Sequence, residues 1–223
     1  MFFCEKMTTF AVGMSLSSIF KSSGVRNFSK LLSANVVAQV IGLVVYPILT
    51  RMYAPEDFGL LNLFLSIGGV LALIAVAEYH YAIVLPKEEK DAVGVFQVGF
   101  LLLLCLVILV GFSAIFSGSI SLLFNAPSLS SVYYLLPGYV FLMGLWNLLN
   151  YWYVRQQKFG NISIYQISQS IISSASKIIF GVQNMLRVGM VYSVVLAPII
   201  SILLVLVGGW QRIMPLFKIS WSN

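Results

Sequence analysis

Residues 46–59 read Tyr-Pro-Ile-Leu-Thr-Arg-Met-Tyr-Ala-Pro-Glu-Asp-Phe-Gly, a short polar segment between two long apolar runs. An apolar run of about 20 residues is long enough to cross a bilayer as a helix, so the segment is predicted to join two membrane spans. Pro55 suits the first turn of the second helix, because a missing N–H costs little there. Glu56 and Asp57 follow where the helix dipole favours acidic side chains. The segment therefore predicts a tight, well-capped turn.

The composition outside this segment is that of a membrane protein. Of the 223 residues, 60% are hydrophobic and 9% are charged, whereas an ordinary soluble domain has about 25% charged residues. Several apolar runs are long enough to span a bilayer, and none shows the period of two that a transmembrane barrel would require. The predicted fold class is all-α, a polytopic membrane protein.

Six spans are predicted, at about residues 30–50, 60–86, 92–117, 131–154, 162–183 and 189–210. Cytoplasmic loops are enriched in Lys and Arg, and this rule sets the orientation. With the N-terminus inside, the outside loops hold only Arg51 and Arg187. The cytoplasmic basic residues are then Lys6, Lys21, Arg26, Lys30, Lys87, Lys90, Arg155, Lys158, Arg212 and Lys218. We therefore expect both termini in the cytoplasm, and we attribute the net charge of +6 to these loops rather than to nucleic-acid binding.

The chain divides into three predicted parts. Residues 1–28 form a cytoplasmic lead-in on the membrane surface, of which residues 1–13 are interpreted as an extension before a start at Met14. Residues 29–210 form the six-helix transmembrane lobe. Residues 211–223 form a basic cytoplasmic tail.

Polar residues recur at helical spacing in three of the spans. Asn35 and Gln39 share one face of the first span with Gly42 and Tyr46. Asn62, Ser66, Gly69 and His80 are predicted to share a face of the second. The fifth span carries a continuous stripe: Ser163, Gln166, Ser170, Ser173 and Lys177.

Such a stripe must pack on another helix or line a wet cavity, because lipid cannot satisfy it. The serines alone fit ordinary helix–helix contact. Lys177 has two interpretations: its ammonium snorkels outward, or it faces a central cavity that receives an anionic group. Glu78 and His80, near the cytoplasmic end of the second span, are either interfacial or a titrating pair in a gate.

Neither catalytic residues nor a cofactor is predicted. One histidine and seven acids argue against a metal cage. Cys4 lies near the N-terminus and Cys105 lies inside an apolar run, so a disulfide between them is not expected.

Four stretches together resemble bacterial polysaccharide (O-antigen, Wzx-type) flippases of the multidrug/oligosaccharidyl-lipid/polysaccharide exporter superfamily. They are residues 46–59, Tyr79–Pro86 (YHYAIVLP), Trp146–Gly160 (WNLLNYWYVRQQKFG) and Tyr165–Ser170 (YQISQS). The resemblance covers about residues 14–220.

The resemblance implies two pseudo-symmetric lobes of six spans around a cavity. It also implies transport of an undecaprenyl-diphosphate-linked oligosaccharide across the bacterial cytoplasmic (inner) membrane. Cavity-facing cations in such proteins suit a diphosphate, and here the resemblance offers Lys177, with Arg51 at the outer mouth. Many relatives carry Arg-Tyr-Glu where this chain has Glu78-Tyr79-His80, and this departure argues against a charge-pair role for Glu78.

The chain covers one lobe of such a fold and stops in what resembles the linker between lobes. We expect a fragment, an interrupted reading frame or a half-transporter that dimerises, so the expected partners are membrane lipid, the lipid-linked oligosaccharide, and a second lobe or second copy. Three alternatives stay open: a drug/cation antiporter of the same superfamily, an inactive truncated product, and a membrane polysaccharide polymerase.

Overall fold

The computed structural model describes residues 23–217, and it describes side chains in residues 29–185 and 188–208. The predicted extension (residues 1–13) lies outside the described residues, as do residues 1–22 of the predicted lead-in (1–28) and residues 218–223 of the predicted basic tail (211–223). For residues 23–28 and 211–217 only the backbone is described.

Helices make up nearly all of this part of the chain. We number them in order as α1 (Ser23–Met52), α2 (Pro55–Ala75), α3 (Tyr79–Ala82), α4 (Glu89–Ser113), α5 (Ser117–Leu123), α6 (Leu136–Arg155), α7 (Phe159–Val182) and α8 (Leu186–Phe217). Short 3₁₀ turns lie at Ala114–Phe116, Pro127–Ser131 and Tyr133–Leu135. Residues 23–217 contain no strand, and the all-α class is confirmed.

Four segments are long and apolar enough to cross a membrane: Ser29–Met52, Pro55–Ala75, Glu89–Leu123 and Val188–Gly208. The chain is therefore a polytopic α-helical membrane protein. The long helices α6 and α7 coincide with the predicted fourth and fifth spans but are less apolar. That α6 and α7 also cross the membrane, and hence the total of six spans, stays a prediction.

The turn between α1 and α2 is shorter than the polar segment around it. α1 continues to Met52 and contains Pro47, so only Tyr53 and Ala54 separate the two helices. The Ala54 N–H donates to Asp57 Oδ2 at 3.0 Å, and the Asp57 N–H donates back to the Ala54 carbonyl at 3.0 Å. Pro55 opens α2 as predicted. The tight, capped turn is confirmed.

The predicted second span, residues 60–86, is wrong at its C-terminal end. α2 stops at Ala75, and Ala77 and Glu78 adopt left-handed backbone conformations with φ of 43° and 58°. Such conformations cost free energy in non-glycine residues and persist only where surrounding contacts fix them. The sequence predicted that His80 and Asn62 share a helical face. Because the helix is interrupted, they do not.

The packing order differs from the chain order. α1 packs along α7, and α7 packs along α8; α2 and α4 both pack on α6, while α8 also contacts α2, α4 and α6. α1 and α2 make little direct contact beyond their turn. Small residues permit the close approaches, as at Gly68, where an added Cβ would lie 2.5 Å from Tyr139 Cδ1.

Candidate functional site

The polar face of α1 is exposed. Asn35 and Gln39 lie on the surface, while Ala34 and Leu49 are buried against the neighbouring helices. At 100° per residue the polar face is turned roughly 90° from the buried one. The described contacts therefore leave Asn35 and Gln39 open beside the α1–α7 interface.

The polar face of α2 is exposed as well. Asn62, Ser66 and Gly69 are all on the surface, whereas Phe64 and Ala72 are buried in the core. On a helical wheel the polar residues lie roughly opposite the buried ones. Within the described residues, two helices with apolar composition thus each present a polar strip without partners.

The stripe on α7 is divided between two environments. The Ser170 hydroxyl donates to the Ala38 carbonyl of α1 at 2.7 Å, and the Ser163 hydroxyl donates to the Phe159 carbonyl at 3.0 Å. Ser173 is half-buried. Gln166 is also half-buried, and its Oε1 is buried without a hydrogen-bond partner among the described residues. The Ser170 hydroxyl therefore serves the α1–α7 interface, while Gln166 keeps an unsatisfied acceptor.

Lys177 lies beside the α1–α2 turn. Its backbone carbonyl accepts a hydrogen bond from the buried Tyr53 hydroxyl at 2.6 Å. Burial, and to a lesser degree the Asp57 carboxylate, raises the pKa of Tyr53, so this hydroxyl remains a donor. The Lys177 side chain is half-buried, and within the described residues it makes no ion pair. Arg51, in the last turn of α1, is exposed at the same end.

Glu78 and His80 lie at the opposite end, in the segment between α2 and α4. His80 is 4% exposed, and its ring centroid lies 4.2 Å from that of Tyr81 and 4.8 Å from that of Tyr151. Burial lowers the pKa of His80, and the exposed Glu78 only partly opposes this. His80 Nδ1 has no hydrogen-bond partner in the described part of the chain. The structure thus places the two residues away from Lys177 and Arg51.

Arg155 has a role that the sequence did not reveal. Its guanidinium donates to the carbonyls of Ile83 at 3.1 Å, Pro86 at 2.6 Å and Glu88 at 3.2 Å. Arg155 therefore clamps the segment between α2 and α4 onto the end of α6. The sequence showed Arg155 only as a basic residue between two spans, because its carbonyl partners lie about 70 residues away in the chain.

The described residues include no group of three or more His, Cys, Asp or Glu side chains that could hold a metal ion. Cys105 is an exposed free thiol on α4.

A family model described as "Polysaccharide biosynthesis protein" matches residues 25–220. Searches of curated proteins and of solved structures found no match to the chain.

Proposed function

Because the chain belongs to the polysaccharide biosynthesis protein family, we propose that it is one lobe of a flippase. The flippase moves an undecaprenyl-diphosphate-linked oligosaccharide across the bacterial cytoplasmic membrane, and both ends of this lobe lie in the cytoplasm. The observation that carries the proposal is the pair of exposed polar faces on α1 and α2.

Lipid cannot satisfy these two faces. A buried amide without a hydrogen-bond partner costs about 1–3 kcal/mol by mutational data. Asn35, Gln39 and Asn62 each carry an amide on the surface of a helix with membrane-spanning composition, where contact with lipid would leave it without a hydrogen-bond partner. A water-filled cavity closed by a second lobe, or by a second copy of this chain, removes the cost. Sugar hydroxyls in transit are suitable partners for the same amides.

Lys177 supplies the charge that a diphosphate needs. Its side chain is half-buried on α7 and makes no ion pair in the described part of the chain. An unpaired ammonium costs about 2.5–3.5 kcal/mol at a helix centre on insertion scales, and less toward the helix end where Lys177 lies. An anionic group entering the cavity would offset this cost, with Gln166 and Ser173 on the same stripe of α7.

The antiporter alternative is less well supported. A proton- or sodium-coupled antiporter of this superfamily would use buried acidic residues in the lobe. Among the described residues Asp57 is the buried carboxylate, and it caps α2. Glu78 is exposed.

A polymerase would need charged catalytic residues in an outside segment. Residues 114–135, which connect α4 to α6, contain no charged side chain.

Complementation of glycan export in a flippase-deficient strain tests the proposal. We expect Lys177→Ala, placed in the full transporter, to abolish export, and Lys177→Arg to retain part of it because the cation is kept. Lys90→Ala is the matched control, since Lys90 is an exposed lysine in the first turn of α4. Membrane levels of each variant are measured by immunoblot. Full export by a normally expressed Lys177→Ala variant would remove the cation from the mechanism.

A further inference from the structure

A second polar feature lies at the other end of the helices, away from Lys177. A cleft of about 540 Å³ opens where the α6–α7 turn meets the start of α4. Its lining residues are Lys87, Glu89, Trp152, Arg155, Gln156 and Lys158. Sites that hold small molecules measure about 300–1,000 Å³. None of the polar faces described above contributes to this cleft.

The cleft carries an excess of positive charge. Lys87, Arg155 and Lys158 face a single carboxylate, Glu89. Backbone carbonyls carry no net charge, so the three hydrogen bonds of Arg155 leave its own charge uncompensated. A guanidinium has five N–H donors, and two of them remain available here.

A buried hydrogen-bond donor lies beside these charged groups. Trp152 lines the cleft and is 1% exposed, and its indole N–H has no hydrogen-bond partner among the described residues. Buried polar groups in native proteins are nearly always paired, so this indole N–H is a donor left open beside the cleft among the described residues.

The backbone holds these groups in place. The Lys158 N–H donates to the Tyr153 carbonyl at 2.9 Å, and Gln157 has a φ of 55°. This is the left-handed ending that satisfies the last carbonyls of a helix. The turn after α6 is therefore fixed, and the Arg155 clamp fixes the opposite wall.

We propose that this cleft binds the phosphate of an anionic phospholipid headgroup in the inner leaflet. The cleft lies at the level of the helix ends, where headgroups lie, and where tryptophan and tyrosine are enriched in membrane proteins. Its charge complements a phosphate, and basic residues near an anionic leaflet attract its lipids. A diphosphate-linked glycan would need many more polar partners than one carboxamide and one carboxylate. The inference uses the cytoplasmic orientation of this end but does not depend on the transport function.

Equilibrium binding to the purified chain in a neutral detergent tests this site. The probes are short-chain phosphatidylglycerol, short-chain phosphatidylcholine, inorganic phosphate and geranyl diphosphate, measured by thermophoresis. We expect phosphatidylglycerol to bind, phosphatidylcholine and phosphate to bind far more weakly, and binding to weaken as salt is added. The Lys87→Gln/Lys158→Gln variant should lose about fivefold in affinity per lysine, or about 25-fold if the two effects add.

The matched control is Lys30→Gln/Lys90→Gln, which removes the same charge from two exposed lysines outside the cleft. It should bind phosphatidylglycerol like the wild type. An equal loss in both double variants would overturn the proposal in favour of general surface charge. Phosphate binding as tight as that of phosphatidylglycerol would also overturn it. Tighter binding of geranyl diphosphate would reassign the cleft to the prenyl-diphosphate substrate.

Discussion

Removing the Arg155 side chain should loosen the segment between α2 and α4. Arg155 makes three charge-assisted hydrogen bonds to the carbonyls of Ile83, Pro86 and Glu88. The first two are partly buried and the third is exposed. Hydrogen bonds to charged groups contribute about 1.5–3 kcal/mol each, and exposed ones contribute less. We therefore expect Arg155→Met to lower the free energy of unfolding by about 2–4 kcal/mol.

Arg155→Lys separates the charge from the shape of the guanidinium. Lysine keeps the positive charge but lacks the planar fork that reaches several carbonyls at once. It should recover about half of the lost stability, since one ammonium replaces one or two of the three hydrogen bonds.

The measurement combines denaturation in mixed micelles with amide hydrogen exchange. Amides of residues 83–88 should exchange faster in Arg155→Met, while those of α7 should not. Arg51→Met is the control, because Arg51 is an exposed arginine at the other end of the bundle. The clamp does not exist if Arg155→Met unfolds like the wild type with unchanged exchange at residues 83–88. A full rescue by lysine would show that charge alone matters.

Three further predictions concern single side chains. Asp57→Ala removes the cap on the Ala54 N–H and should cost about 0.5–2 kcal/mol of stability, measured by denaturation; no change would show that solvent replaces the cap. Burial lowers the pKa of His80, so as the pH falls the histidine of the unfolded chain binds a proton before that of the folded chain. The free energy of unfolding should therefore be constant above about pH 6.5 and should fall as the pH drops below that value toward the folded-state pKa. His80→Phe should remove this acid sensitivity, and a pH profile identical to the wild type would exclude His80 as its source. Gln166→Leu removes a buried acceptor that has no partner among the described residues, and it should leave stability unchanged or higher while reducing glycan export. Normal export would exclude Gln166 from the substrate path.

The sequence predicted the elements that depend on local chemistry. Pro55 and Asp57 act through the first turn of one helix, so the position of the α2 start could be read directly. The end of α2 could not be read in the same way. Residues 76–78 contain no glycine or proline, and the segment that follows the break is held by Arg155 through the Ile83 and Pro86 carbonyls, about 70 residues away in the chain. Hydropathy alone therefore predicted that the helix continues through this segment, which is apolar but is not part of α2.

The sequence predicted which residues form the polar stripe, but not which of them contact another helix and which stay open to a cavity. A stripe of serine and glutamine is expected both at a helix–helix contact and along a wet cavity. Only the 2.7 Å distance from Ser170 to the Ala38 carbonyl assigns Ser170 to the first role. The Oε1 atom of Gln166, on the same stripe, has no such partner in the part of the chain that the structure describes. Periodicity identifies a face, whereas the neighbour that the face meets depends on packing between helices distant in sequence.

The surface of α1 supports the two-body interpretation on physical grounds. Only 6% of the residues in its apolar window are buried, so most of the helix faces something outside the described lobe. On the wheel this surface has two sectors. One carries apolar side chains such as Val37 and Val44, which are 45% and 65% exposed and suit lipid. The other carries Asn35 and Gln39, which lipid cannot satisfy. A helix with a lipid-facing sector and an unsatisfied polar sector suits the edge of a cavity, and this supports the proposal that a second body closes the other side.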